Sequence, residues 1–241
     1  MNNCLFFLFS LLFSFRVINI MMFDIDQDVA GKFNFDRYVQ SGDRDSGADS
    51  STGEASPSAS RRISNEMTKA AGIDRLVPGA TIDPRAFEPC GYSMNAILYN
   101  SYSTMHITPE ADCSYASFET NQKLASYHSL INNVVRTFKP KRFILTMMAD
   151  EAGLDQIRDN PLVNSFKKPI IVPTKDAAGN SSFAAYRRSG LASIQIEDDT
   201  CCLMGNFQLE EDEEASMMKR GEIGVARGMS YAGTELLSTN I

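Results

Sequence analysis

Strict alternation of side chains between residues 92 and 120 constrains the fold more than any other feature of the chain. From Tyr92 to Leu98 every second residue is apolar, and alternation returns from Tyr102 to Ile107 after a short polar loop. A period of two is typical of β-strands, and two such runs joined by a short loop predict a hairpin. Pro109 ends the second run because proline has no N–H to donate to a neighbouring strand. A third run, Tyr115–Thr120, predicts a further strand.

Reactive side chains are concentrated in and around this hairpin. Ser93 and His106 fall on its two strands, where they can point to the same face of the sheet. Cys90 and Gly91 precede the first strand, and Glu110 follows the second. An imidazole beside a thiol or a hydroxyl activates a nucleophile, so Cys90 with His106 and Ser93 with His106 are both candidate pairs. The structural alternatives are an inert buried cysteine, a hydrogen-bonded strand serine and a core histidine.

Composition limits the class of protein and of partner. A chain of 241 residues with 43% hydrophobic content can bury one good-sized core or two small ones. The net charge of −7 argues against a nucleic-acid partner, because phosphate binding requires a basic face. The five cysteines are irregularly spaced and contain no CxxC pair, so we expect neither a disulfide framework nor a metal site. A reducing, cytoplasmic location fits this pattern best.

The remaining periodic segments predict an α+β layered domain with a mainly antiparallel sheet. The apolar run Val17–Phe23 predicts a central strand covered on both faces. An apolar stripe from Ser126 to Phe138, ended by Pro140, predicts an amphipathic helix. Further strands are predicted at Arg142–Met148, Phe183–Arg188, Leu191–Ile196 and Cys201–Leu209, with Gly190 separating two of them.

The predicted domain spans residues 17–209 and is flanked by two segments of different composition. Residues 1–16 form an apolar N-terminal segment, in which Cys4–Phe15 is too short to span a bilayer and lacks the basic start of a signal peptide. A signal or anchor, a buried element, and a non-native start from an incomplete gene model are the three alternatives, and membrane association is not expected. Residues 210–241 form an acidic and Gly-rich tail.

One segment inside the domain is almost free of apolar residues. Residues 40–64 are rich in Ser, Gly, Asp and Ala, and such a segment cannot bury enough surface to offset its ordering entropy. We therefore expect a disordered insertion. Arg61–Ser64 within it matches a basic-directed kinase site, a short pattern that also arises by chance.

Three motifs in and around the predicted hairpin, between residues 87 and 121, resemble those of a known family. Phe87–Asn95 (FEPCGYSMN), Thr104–Glu110 (TMHITPE) and Ser114–Asn121 (SYASFETN) are similar, in order and spacing, to consecutive motifs of eukaryotic S-adenosylmethionine decarboxylase. A looser resemblance runs from Val17 to the predicted helix and fades after Asp150. It covers roughly the C-terminal half of the family's proenzyme.

The resemblance implies a fold and an activity. The family fold is a four-layer αββα sandwich with the active site between its sheets, so this chain corresponds to one layered αβ half. Such a half exposes a sheet face and requires a partner, either the missing N-terminal half, a full-length homologue or a second copy. The implied activity converts S-adenosylmethionine to its decarboxylated form and CO2 for spermidine and spermine synthesis. The cofactor is a pyruvoyl group, made by self-cleavage at a Glu-Ser-Ser site, that forms a Schiff base with the substrate and acts as electron sink.

The resemblance also implies a role for individual residues. Phe87 would stack on the adenine and face the sulfonium, and Glu110 would accept the ribose hydroxyls. Ser93 and His106 would serve self-processing, with neutral His106 removing a proton. Glu119 matches an acid of the putrescine site of animal members. Cys90 is then not the catalytic thiol, since the family's proton-donating cysteine lies in the N-terminal half.

This sequence departs from the family pattern at several points. The nearest analogues of the processing site, Asp49–Ser51 and Asn180–Ser182, lack a cysteine at the right distance downstream. The serine that forms the pyruvoyl group is therefore not found in this chain, which is expected to be inactive by itself. Asn19 and Met148 replace an acid and an aromatic residue of the diamine site, which argues against putrescine activation. The alternative functions are a catalytically dead paralogue that binds and regulates a full-length decarboxylase, and a secreted binding protein.

Overall fold

The computed structural model of the protein describes residues 14–41, 43, 55–155, 157, 170–175, 181–196 and 199–210. These residues form a nine-stranded sheet in which every neighbouring pair is antiparallel, with helices on one face. The strands are β1 (Arg16–Phe23), β2 (Thr81–Ala86), β3 (Tyr92–Leu98), β4 (Ser101–Thr108), β5 (Tyr115–Thr120), β6 (Arg142–Asp150), β7 (Ile170–Lys175), β8 (Ser181–Gln195) and β9 (Thr200–Leu209). The helices are α1 (Gln27–Ala30), α2 (Pro57–Ala71), α3 (His128–Phe138) and α4 (Glu151–Asp155), with 3-10 turns at Gly31–Phe33, Phe35–Tyr38 and Ile73–Arg75. The strand order is β2-β3-β4-β5-β1-β6-β9-β8-β7. The predicted α+β class is confirmed.

Strand β1 lies at the centre of the sheet, between β5 and β6. Ile18, Ile20 and Met22 are fully buried beneath the helices, whereas the residues between them are only half-buried. The predicted cover on both faces is therefore wrong for the part of the chain described here, because helices pack on one face only. We call the uncovered side the open face.

The helices pack on the other side, which we call the helix face. Helix α2 packs against β2, and α3 packs against β1 and β7. Phe138, the last residue of α3, stacks on Phe33 with ring centroids 6.3 Å apart, and Phe33 in turn contacts Tyr92 of β3 at 5.7 Å. The predicted helix over Ser126–Phe138 is confirmed, with its start two residues later, at His128.

Helix α2 contradicts the disorder expected for residues 40–64 over the last part of that segment, residues 57–64. The helix begins at Pro57, after Ser56 accepts a hydrogen bond from the Ala59 N–H at 3.3 Å, and it ends at Gly72 in the left-handed region, at φ 75°. Few apolar residues are present, but they share one stripe, and Ile63 is fully buried. The average composition of the segment does not reveal this stripe, because it ignores the spacing of the apolar residues. Residues 44–54 lie outside the described residues.

The same helix removes the basis for the kinase-site hypothesis. Ser64 is 3% exposed, and its Oγ donates to the Ser60 carbonyl at 2.7 Å while accepting from the Ala86 N–H at 2.9 Å. A kinase requires an accessible hydroxyl in an extended segment. Ser64 is therefore a packing residue in the folded chain.

Two strands differ from their predictions. The two strands predicted on either side of Gly190 form one strand, β8, in which the ladder with β9 shifts register between Arg188 and Gly190. A glycine at such an irregularity marks a β-bulge rather than a turn. Strand β2 was not predicted, because Pro84 lies at its middle and proline is confined to edge strands.

The ends of the chain are described in part only. The compact unit ends at Leu209, and residues 211–241 of the predicted tail lie outside the described residues. So does the apolar segment before Ser14. Within the described residues, no helix has the length and apolar character needed to cross a membrane.

Candidate functional site

Ser93 and His106 form a hydrogen-bonded pair on the open face. They are direct cross-strand partners in the ladder between β3 and β4, and the Ser93 Oγ lies 2.8 Å from the His106 Nδ1. Their neighbours Tyr92 and Met105 point to the opposite face and are buried under the helices. The alternation of the sequence therefore puts a hydroxyl and an imidazole together on the side of the sheet that none of the described helices covers.

The pair has two chemically distinct hydrogen-bonding arrangements. Either the Ser93 hydroxyl donates to Nδ1, or Nδ1–H donates to the hydroxyl oxygen and the His106 Nε2 keeps a lone pair. Ser93 is half-buried and His106 is exposed, so a reacting group can approach the ring. In register on the other side of His106 stands Ser117 of β5. Sequence reasoning missed Ser117, although its position in the alternating run places it on this face.

Phe87 lies in the loop between β2 and β3, close to the Ser93 end of the strand. The Phe87 N–H donates to the Gly91 carbonyl at 3.0 Å, which closes the loop, and the Gly91 N–H donates to Phe33 at 2.9 Å. Gly91 has φ 115°, a region that favours glycine. Phe87 is 43% exposed, so the loop presents an aromatic residue to solvent.

Glu110 lies in the loop after β4, next to the Phe87 loop. Burial raises the pKa of the Cys90 thiol, and the negative charge of Glu110 raises it further, which reports that the carboxylate is close to Cys90. A raised pKa keeps the thiol protonated at neutral pH, whereas a nucleophilic cysteine requires a thiolate. The pairing of Cys90 with His106 is therefore disfavoured, and that of Ser93 with His106 is observed.

Glu119 lies on the same face, two register positions along the β4–β5 ladder from the His106–Ser117 pair. Its Oε2 accepts a hydrogen bond from the Asn19 amide at 2.9 Å, and its Oε1 accepts one from the Tyr102 hydroxyl at 2.8 Å. Burial, this hydrogen bond and the Glu119 charge together raise the pKa of Tyr102 to about 12. The Asn19 Oδ1 is buried and has no hydrogen-bond partner among the described residues. Sequence reasoning did not identify Tyr102 as part of this cluster.

The structure therefore groups the predicted residues at two neighbouring positions. Ser93 and His106 are in contact, with Phe87 and Glu110 in the two loops at the same end of their strands. Glu119 belongs to a separate hydrogen-bonded cluster with Asn19 and Tyr102, nearer the middle of the sheet. Among the described residues, no group of three or more His, Cys, Asp or Glu side chains is arranged to hold a metal ion.

Comparison with known proteins identifies relatives of the chain. Residues 14–199 match the family model described as Adenosylmethionine decarboxylase. The S-adenosylmethionine decarboxylase proenzyme of Drosophila melanogaster is 50% identical over 91 residues, which are 37% of this chain and 26% of that protein. The Caenorhabditis elegans proenzyme is 35% identical over 191 residues, covering 77% of this chain and 41% of that protein. This chain thus spans between a quarter and two-fifths of the length of these relatives.

A solved structure has the same fold. The Trypanosoma brucei AdoMetDC-delta26 monomer superposes with a TM-score of 0.57 and 22% sequence identity, over 82% of this chain and 66% of that one. At this level of identity the likeness concerns the fold alone.

Proposed function

This chain belongs to the adenosylmethionine decarboxylase family, and we propose that it provides one half of the active site of a pyruvoyl-dependent S-adenosylmethionine decarboxylase. The Ser93–His106 hydrogen bond of 2.8 Å on the open face is the observation that carries the proposal. The second half, including the serine that becomes the pyruvoyl group, comes from a segment or a partner outside this chain. The match covers only 26% of the Drosophila melanogaster relative and 41% of the Caenorhabditis elegans relative, which supports a second half outside this chain.

His106 acts as the base in self-processing. When its Nδ1–H donates to the Ser93 Oγ, the neutral ring keeps an acceptor lone pair on Nε2, and the His106 side chain is exposed to a reacting group. The Ser93 hydroxyl fixes the tautomer and the orientation of the ring. Strand β4 is paired with β3 on one side and β5 on the other, which fixes the backbone of His106. The base is therefore positioned before any partner binds.

Phe87 and Glu110 bind the substrate. The exposed face of the Phe87 ring offers a stacking surface for a purine and a cation–π site for a sulfonium. Two adjacent ribose hydroxyls match the two oxygens of the Glu110 carboxylate. Both residues lie in loops at the same end of β3 and β4, which supports their acting on one substrate.

The chemistry of the open face fits a carbonyl cofactor supplied from across it. Serine, histidine and carboxylate side chains move protons and hold polar substrate groups, but they do not stabilise the electrons left by loss of carbon dioxide. A pyruvoyl carbonyl supplies that electron sink when it is present. The residues of this chain then bind the substrate and handle protons around it.

The proposal is tested by restoring the missing half. This chain is joined to the N-terminal half of the Drosophila melanogaster relative, and self-cleavage is followed by mass spectrometry, with release of labelled carbon dioxide from carboxyl-labelled S-adenosylmethionine as the second readout. We expect cleavage in the joined protein and a loss of about 100-fold or more in its rate in H106A, the scale of general-base catalysis. The matched control is H128A, on the exposed side of α3, which leaves the rate unchanged.

Two outcomes contradict the proposal. Normal self-cleavage in H106A removes His106 from the processing step. A joined protein that assembles but never cleaves favours instead a non-catalytic chain that binds and tunes a full-length decarboxylase. Cell fractionation distinguishes both of these functions from that of a secreted binding protein. We expect the chain to be found in the cytoplasm, whereas its presence in the medium would favour the secreted binding protein.

A further inference from the structure

Both ends of the Phe87 loop are bonded to one helix on the far side of the sheet. The Ala86 N–H, just before the loop, donates to the Ser64 Oγ at 2.9 Å. Just after the loop, the Tyr92 hydroxyl lies 2.8 Å from the Thr68 Oγ1. Ser64 and Thr68 are one turn apart on α2 and are 3% and 6% exposed. Two buried side chains of one helix therefore hold the start and the end of the same loop.

The direction of these hydrogen bonds is fixed by their other partners. The Ser64 hydroxyl donates to the Ser60 carbonyl at 2.7 Å, which leaves its oxygen free to accept from the Ala86 N–H. The Thr68 hydroxyl donates to the Ser64 carbonyl at 2.8 Å, so the Tyr92 hydroxyl is the donor in its bond with Thr68. Burial raises the pKa of Tyr92 to about 12, which keeps that donor protonated. Every hydroxyl in this chain of bonds thus has a defined role.

The residues held by α2 are direct neighbours of the site residues. Ala86 precedes Phe87, and Tyr92 precedes Ser93. Because side chains alternate along a strand, Tyr92 points into the helix face while Ser93 points to the open face. Ala86 and Tyr92 are also cross-strand partners, so the loop leaves and rejoins the sheet at one place. A shift of α2 along the sheet therefore moves Phe87 and Ser93 together.

We propose that Ser64 and Thr68 are positioning residues, which set the placement of Phe87 and Ser93 from the opposite face of the sheet. This inference rests on the proposed function, since it assigns a purpose to the geometry of that site. It goes beyond it by placing control of the site in a helix that contributes no side chain to the open face. The hydroxyl of Ser93 then reaches His106 at bonding distance because Tyr92 is anchored to Thr68.

The first test uses the imidazole resonances of the chain itself. The sequence contains two histidines, so His106 is observed by NMR with His128 as an internal reference. We expect T68V and Y92F each to displace the His106 ring resonances while those of His128 stay in place, and T68S to restore them because it keeps the hydroxyl. Spectra are recorded well below the unfolding temperature, where a merely destabilising substitution leaves native resonances unchanged.

The matched control is T137V. Thr137 lies on α3 and its hydroxyl donates to the Asn133 carbonyl of its own helix at 2.8 Å, so the same substitution removes a helical hydroxyl without touching the loop. In the joined protein, T68V is expected to slow self-cleavage by about tenfold or more, since small misplacements of reacting groups are costly. T137V is expected to cleave at the normal rate.

The two readouts fail separately. His106 resonances that are the same in T68V, Y92F and T137V overturn the positioning role, whatever the activity of the joined protein. Normal cleavage by T68V overturns it as well. Failure of the unsubstituted joined protein to cleave counts against the proposed function, while the NMR comparison still decides whether α2 holds the site.

Discussion

The carboxylate of Glu119 is already satisfied by its own chain. One oxygen accepts from Asn19 and the other from Tyr102, so neither depends on a ligand for a hydrogen bond. The putrescine role that the resemblance implies for Glu119 stays a prediction. An amide at position 19 leaves one formal negative charge where two acids would attract a dication more strongly. The arrangement is consistent with a site that holds its shape without a diamine.

The Tyr102–Glu119 bond makes a measurable prediction about pH. The pKa of Tyr102 is raised to about 12, above its ordinary value of about 10, because the phenol is partly buried and donates to a carboxylate. Since the folded state holds this proton more tightly, its contribution to stability is complete below about pH 10 and is lost as the pH rises towards 12. We expect E119Q to lower the pKa of Tyr102. The pKa is measured by titrating tyrosinate absorbance, and the contribution of Tyr102 is the difference from the same protein carrying Y102F.

The control for this measurement is E110Q, the same change at a carboxylate that does not contact Tyr102. It is expected to leave the Tyr102 titration where it was. A Tyr102 titration that does not move in E119Q would mean that burial alone holds the phenol, and that the bond of 2.8 Å is not maintained in solution.

At the level of elements, the sequence predicted those strands and helices whose formation depends on short-range residue patterns. The hairpin of β3 and β4 and the helix α3 each follow from a period that a few residues determine. The fate of Gly190 could not be predicted in that way, because a glycine serves a turn or a bulge equally well, and β9 selects the bulge by pairing on both sides of it. The first turns of α2, which fall in the segment expected to be disordered, could not be predicted because the buried stripe of the helix is spread among many polar residues.

The candidate site shows the same division. Alternation along the strands was enough to put Ser93 and His106 on one face, and their contact is observed. Tyr102 as a partner of Glu119 depends on the register between β4 and β5, which no single strand specifies. The bonds from Ser64 and Thr68 depend on where α2 docks, and this docking is a property of the folded sheet.

The outer edge of β2 is closed by two different devices. Strand β2 ends the sheet, and alternate residues of an edge strand turn their backbone groups outward. The Ala86 N–H is used by the Ser64 Oγ, so Ile82, Pro84 and Ala86 are the outward-facing set. Pro84 has no N–H, which leaves only the N–H of Ile82 to pair with another strand. Such protection discourages edge-to-edge association.

We therefore predict that P84T promotes self-association through this edge. Threonine restores an outward N–H and favours the extended conformation. Sedimentation velocity over a concentration series should show more dimer or higher oligomer than the unsubstituted chain. The control P78T lies in the turn before β2 and loses the same proline constraint, so both variants should change the free energy of unfolding by about 1 kcal/mol or less. Equal sedimentation of P84T and P78T would show that the edge is protected by something other than Pro84.

For the whole molecule, the two faces of the sheet have different purposes. The helix face holds the buried core, whereas the open face is mainly polar at β3 and β4, with Ile97 as an exception, and apolar towards β9. An apolar patch on the open face is formed by cross-strand neighbours from β6, β8 and β9: Met148, Ile194, Cys202 and Met204. Ile194 is 64% exposed, and contiguous exposure of this kind marks an interaction surface. We propose that the second half covers both regions at once, with the apolar patch providing binding energy and the polar region the chemistry.

This division predicts that assembly is separable from folding. We expect I194D to weaken binding of the separately expressed N-terminal half by about tenfold or more, equivalent to roughly 1.4 kcal/mol, because a carboxylate then has to be buried in an apolar contact. The stability of the free chain should hardly change, since Ile194 is largely exposed in it. Binding is measured by titration calorimetry and stability by thermal unfolding.

The control Y99D puts the same charge in the turn between β3 and β4, where Tyr99 is 92% exposed and has φ 55°, a conformation that aspartate tolerates. If I194D and Y99D bind the second half equally well, the partner does not cover β8 and β9, and the layered assembly proposed for the open face is wrong.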